Sequence, residues 1–150
     1  MIATIQTYFE TSADTAWKIV KKKDTFLFIT HGFLGFMGAR NWPETFHEGL
    51  EIDTRFIFFH ILPAWKHKLR VVKIDDFNKE LYSNENGGLI KTWNHLIKIV
   101  PATDQRCKYT DQIEIKAGLL TPVVWAYAHV FYRYRQYRWK KLIRRLKRNI

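Results

Sequence analysis

A chain of 150 residues with 47% hydrophobic and 16% aromatic side chains has the length of one domain, read here as residues 1–150; at that size roughly 70% of the unfolded surface is buried. One cysteine, Cys107, excludes an internal disulfide framework, and no apolar run approaches the roughly 20 residues a membrane helix needs. The excess of 25 Lys+Arg over 14 Asp+Glu is concentrated between Arg133 and Arg148, a stretch with no acid, so the basicity belongs to the tail.

The opening MIATIQTYFETSAD lacks the basic start, apolar run and small-residue cleavage site of a signal peptide, and a soluble cytoplasmic protein is expected. Residues 2–10 are rich in β-formers and suggest a first strand. Ser12 offers an N-cap to a short helix carrying Asp14 in its first turn and Trp17 and Val20 on one face. Asp24 offers a second cap, to a short apolar helix over 25–30. The segment 31–43, HGFLGFMGARNWP, alternates glycines with Phe33, Leu34, Phe36 and Met37, and reads as either a flexible apolar flap or a tightly packed connection.

Five strands are expected over 46–59, 65–76, 79–86, 90–100 and 105–117. Turn chemistry separates them at Leu62-Pro63, Asp76-Phe77-Asn78, Asn84-Glu85-Asn86-Gly87-Gly88 and Pro101-Ala102-Thr103-Asp104, and connections this short favour an antiparallel meander. Pro122 suits the first turn of a helix with Thr121 as its cap, and no Gly or Pro follows up to residue 148. Val123, Tyr127, Val130, Tyr134 and Tyr137 make a stripe at helical spacing on that helix.

The order strand, two short helices, antiparallel meander, long C-terminal helix resembles the START-like, Bet v 1-like (SRPBCC) ligand-binding superfamily. Local text agrees: TSADTAWKIV resembles its opening, and GGLIKTWNHLIKI, KYTDQIEIKAG and VVWAYAHVFYRYRQYRW are similar to its bacterial polyketide cyclase-like members. The resemblance implies an α+β helix-grip fold. In it a curved antiparallel sheet of six or seven strands wraps a long C-terminal helix, leaving a cavity between them. It implies no cofactor and names no ligand, since fold alone does not choose among carriers, receptors and cyclases.

Strand alternation assigns the cavity-facing side chains. Cys107, Tyr109, Asp111, Ile113 and Ile115 share one face of the last strand; Trp93, His95, Ile97 and Ile99 share one face of the strand before it. Leu50, Ile52, Thr54, Phe56 and Phe58 form the inward set further upstream. A buried Asp111 and a buried His95 each need a partner, either each other or a Tyr or Arg of the C-terminal helix. They are either a satisfied pair that fixes register, or a polar handle for a ligand, or the acid–base pair of a cyclase. The candidate ligand-binding set is Phe33, Phe36, Phe56, Phe58, Trp93, His95, Tyr109, Asp111, Ile113, Tyr127, Phe131 and Tyr134.

Other signals are weaker. His31-Gly32-Phe33-Leu34-Gly35 resembles an oxyanion-hole loop, but neither Ser12 nor Ser83 sits in a G-x-S-x-G elbow. The six histidines form no H-x-x-x-H pair, and no Walker loop or G-x-G-x-x-G is present, so metal and nucleotide cofactors are unsupported. The basic tail is a solvated helix end, an anionic membrane surface contact through Arg133–Arg148, or, less well supported, a nucleic-acid contact. The preferred reading is binding or transport of a hydrophobic small molecule, lipid-, sterol- or polyketide-like, in a cavity between the sheet and the C-terminal helix. The alternatives are a cyclase or dehydratase using His95 and Asp111, and an interaction protein working through its basic helix.

Overall fold

The computed structural model describes residues 1–148; Asn149 and Ile150, the end of the basic tail, lie outside the described residues. β1 (Ile2–Phe9) is followed by α1 (Ala13–Val20), α2 (Lys23–Thr30) and the short β2 (Leu34–Phe36). The meander β3 (Glu51–Phe58), β4 (Leu62–Asp75), β5 (Glu80–Gly87), β6 (Ile90–Thr103) and β7 (Arg106–Lys116) leads to α3 (Thr121–Arg148), a helix of 28 residues. The seven strands pair antiparallel in the order β1-β7-β6-β5-β4-β3-β2, so the first two strands close the two edges of the meander. α3 packs on β1 and β7, with α2 beside it, which is the expected helix grip.

Local chemistry explains the boundaries. The Ser12 Oγ accepts from the Thr15 N–H at 3.2 Å and caps α1 as expected. α2 begins two residues earlier than the Asp24 reading: Lys22 holds the cap position, and Lys23 is buried with its Nζ 2.8 Å from Glu44 Oε1. The Thr121 hydroxyl accepts from Ala117 N and donates to Gly118 O, closing the entry to α3.

Two turn assignments shift for one reason. Leu62-Pro63 and Pro101-Ala102-Thr103 lie inside β4 and β6 rather than between strands. Pro63 pairs only with β3, and Pro101 only with β7, because β5 does not extend that far along either neighbour. A proline's missing N–H is tolerated where a strand has a single partner. The β3–β4 turn falls instead on Phe59, His60 and Ile61, with Phe59 and His60 in the left-handed region.

The 31–43 segment is the packed connection and not a flap. β2 pairs with β3, Met37 N–H donates to Arg55 O, and Trp42 is buried among Phe26, Phe36 and Phe46. Gly32, at φ +100, lets the Tyr134 hydroxyl reach the His31 carbonyl, and a Cβ there would collide with that oxygen.

The helix stripe differs from the expected one. Val123, Val130 and Tyr137 face solvent, whereas Ala128, Phe131, Tyr132, Arg135, Gln136, Trp139 and Ile143 are buried. Burial follows a neighbouring 3.6-residue line that admits one Arg and one Gln. The inward strand faces are as expected: Cys107, Tyr109, Asp111, Ile113 and Ile115 are buried, as are Trp93, His95, Ile97, Ile99, Ile52, Thr54 and Phe56. Leu50 and Phe58 are partly buried.

Candidate functional site

Apolar side chains fill the grip unequally. At the end of the sheet near α1, Phe9, Trp17, Ile97, Tyr109, Trp139 and Ile143 pack together tightly. At the other end, the space between α3 and the sheet holds a cavity of about 300 Å³. Its walls are overwhelmingly apolar, with Phe36, Phe56, Phe58 and Trp93 from the sheet and Tyr127 and Phe131 from α3. Leu89, Leu120 and Val123 line the mouth and are exposed, each from a different segment.

A belt of polar side chains separates the two ends. Asp111 is fully buried: its Oδ1 accepts from Tyr109 Oη at 3.0 Å and meets His95 Nε2 at 2.8 Å, while its Oδ2 accepts from Gln136 Nε2 at 3.1 Å. Beside it Glu85 has Oε2 3.0 Å from His67 Nε2 and Oε1 accepting from Ser83 at 3.1 Å. Arg135 lies between these groups with its guanidinium 4.7 Å over the Tyr132 ring, and it lines both the cavity and a smaller space of about 30 Å³ beyond.

Electrostatics keeps the belt charged. Burial alone would raise the Asp111 carboxyl, but the Arg135 charge and the His95 hydrogen bond outweigh it and hold the group below the usual carboxylate range. Burial likewise opposes ionisation of Glu85, and the His67 bond and charge outweigh it. Burial opposes the charge on Arg135 too, yet Asp111 and nearby groups more than compensate, and it remains a cation. The phenols go the other way: burial pushes Tyr127 to about 12, and burial together with Asp111 pushes Tyr109 well up, so both stay protonated.

The structure brings six of the expected ligand-binding residues to the cavity wall: Phe36, Phe56, Phe58, Trp93, Tyr127 and Phe131. His95 faces the small inner space, and Asp111 and Tyr109 lie in the belt and the core behind it. Ile113 is core, while Phe33 and Tyr134 pack against each other as a tilted pair, centroids 4.7 Å apart, outside the cavity. The sequence reading missed Glu85, His67, Tyr132 and Arg135. Glu85 was assigned to a turn, but it continues the inward alternation Leu81, Ser83, Glu85. Arg135 was assigned to the basic tail, although it lies one turn beyond Phe131 on the buried line.

Among the described residues no cluster of His, Cys, Asp or Glu could hold a metal ion, and no helix is long and apolar enough to cross a membrane. Neither the protein-family models nor the curated proteins return a match to this sequence. Solved structures do match it. A START superfamily protein from Mycobacterium smegmatis is 12% identical with a TM-score of 0.71, over 97% of this chain and 98% of that one. The fold is the START/Bet v 1-like helix grip. Two plant proteins share it: major latex-like protein 151 from Panax ginseng, 12% identical with a TM-score of 0.64 over 94% of this chain and 95% of its own, and norcoclaurine synthase from Thalictrum flavum, 15% identical with a TM-score of 0.61 over 82% of each. Within this helix grip, the belt marks where the closed core stops and the cavity begins.

Proposed function

We propose that the chain binds an apolar small molecule in the cavity between α3 and the sheet. The observation that carries this reading is the cavity itself, about 300 Å³ with aromatic walls and a mouth of exposed Leu89, Leu120 and Val123. That volume lies at the lower end of the range of small-molecule sites. At the roughly 30 Å³ that a water occupies in the liquid, it holds on the order of ten non-hydrogen atoms. Water held against such walls gains few hydrogen bonds, so an apolar occupant is favoured over solvent.

The cyclase or dehydratase alternative assigns the chemistry to His95 and Asp111. Both Asp111 oxygens are engaged, and the residue does not line the large cavity, so a substrate there would not reach it. The membrane-surface alternative rests on the exposed cations Lys140, Lys141, Arg144, Lys147 and Arg148, at the end of α3 remote from the mouth. Binding is therefore preferred, and a cytoplasmic carrier or receptor is the form we assign it.

The test is titration with an environment-sensitive apolar fluorophore, comparing the wild type with Val124→Trp, which fills the cavity from α3. Saturable one-to-one binding that the variant loses, with the far-ultraviolet spectrum unchanged, is the expected result. Equal binding by both proteins would move the site elsewhere.

A further inference from the structure

Buried polar atoms without a hydrogen-bond partner collect around the cavity. Trp65 Nε1, His67 Nδ1, the Tyr127 hydroxyl and Arg135 Nε are all buried and unpartnered among the described residues, and all four residues line it. Arg135 is the extreme case. It is 3% exposed, and it makes no hydrogen bond and no ion pair within 4.0 Å with any described residue. A guanidinium carries five N–H donors in a rigid planar fork, and a buried donor such as Nε without a partner is unfavourable.

The neighbours that balance its charge do not satisfy those donors. Asp111 is committed to His95, Tyr109 and Gln136, and Glu85 to His67 and Ser83. Arg135 is thus compensated in charge, while its Nε has no hydrogen-bond acceptor among the described residues, at the closed end of an apolar cavity. From Val123 at the mouth to Arg135 the helix rises about 18 Å, so this donor lies deep.

We infer that Arg135 recognises an oxygen acceptor, carbonyl or carboxylate, on the leading end of the ligand. This rests on the binding reading above and narrows it to apolar molecules with an oxygen-bearing head and a body of about ten heavy atoms. The two carboxylates beside Arg135 are committed to the histidines, Tyr109, Gln136 and Ser83, so its donors are left for an oxygen that the ligand brings. The head would approach the Arg135 fork from the cavity side, with the body against Phe58, Tyr127 and Phe131.

The experiment measures displacement of the apolar fluorophore by decane, 2-decanone and decanoate, in wild type, Arg135→Met and Arg135→Lys. The wild type should bind the ketone about ten- to a hundredfold more tightly than decane, the range expected of a hydrogen bond from a charged donor. R135M should lose that preference while still binding decane. R135K, which keeps the charge but not the fork, should retain part of it and supplies the comparison if R135M does not fold. Bound 2-decanone should also show its carbonyl stretch at lower wavenumber in the wild type than in the Lys variant. Equal affinity for decane and ketone, or a preference surviving in both variants, overturns the role of Arg135. Decanoate should likewise bind more tightly to the wild type than to R135M, and a decanoate affinity that R135M leaves unchanged also overturns that role. Failure of all three probes to displace the fluorophore, or of the fluorophore to bind, overturns the binding reading itself.

Discussion

Asp111 holds the polar belt together, and replacing it with Asn tests that claim quantitatively. The carboxylate accepts from Tyr109 and Gln136, bonds His95, and is the largest opposing charge for Arg135. Asn keeps the shape and one acceptor oxygen, but it turns an NH₂ toward donors and removes the charge. Each hydrogen bond to a charged group contributes about 1.5–3 kcal/mol, and breaking one side of a buried ion pair costs about 3–5 kcal/mol because the other charge is stranded. These overlap, and we take about 3–5 kcal/mol as the total. For a chain of this size each kcal/mol moves Tm by about 2–4 °C, so D111N should melt roughly 6–20 °C below the wild type at pH 7. The measurement is thermal unfolding followed by circular dichroism, with D111N, R135M and the double variant compared. The double variant should be less destabilised than the sum of the singles. A D111N melting point within about 2 °C of the wild type, or strict additivity, would refute the account of the belt.

The remaining predictions concern pH, the tail and the thiol. Because Asp111 and Glu85 are held below their ordinary values of 3.8 and 4.5, their contribution is complete above about pH 4.5 and is lost as pH falls through the lowered folded values; acid titration of stability should show this loss, and D111N should flatten it. Truncation after Tyr137 removes Trp139 and Ile143, both buried, and should unfold the chain, whereas truncation after Ile143 should leave a cooperative melt. The Arg138 guanidinium donates twice to the Phe28 carbonyl at 3.1 and 2.9 Å near the C-terminus of α2, so Arg138→Ala should cost about 1–3 kcal/mol and raise amide exchange in α2. Cys107 is fully buried and its thiol is pushed up to about 11 by burial and by Glu10, so it should resist aromatic disulfide reagents until the protein unfolds.

The sheet was legible because its pattern has period two. Cys107 to Ile115 and Trp93 to Ile99 announce their inward faces, and register then places His95 and Asp111 on adjoining strands. The boundaries were less legible where pairing partners end. Pro63 and Pro101 look like turn residues until it is known that each lies on a one-partner stretch. The long helix misled for a related reason. Its aromatics occur on two adjacent faces, and only packing against β1 and β7 decides which face is buried. The same ambiguity hid Arg135 within RYRQYR, where Arg133, Gln136 and Arg138 suggest solvent. Glu85 was lost because Asn84, Asn86, Gly87 and Gly88 are strong turn formers, although β4 opposite forces the strand to continue. The cavity was implied by the resemblance and half of its expected lining holds, but its volume was not legible, since it depends on how side chains from β2, β3, β4, β6 and α3 fail to meet.

The central claim is that this cavity holds a small apolar molecule. Native mass spectrometry of the purified protein, followed by organic extraction and identification of whatever accompanies it, tests that most directly. The account predicts a single adduct at one per chain, of about ten heavy atoms and carrying an oxygen acceptor, which Val124→Trp no longer retains. A chain that emerges with no adduct, and takes up no apolar probe when one is offered, would contradict it.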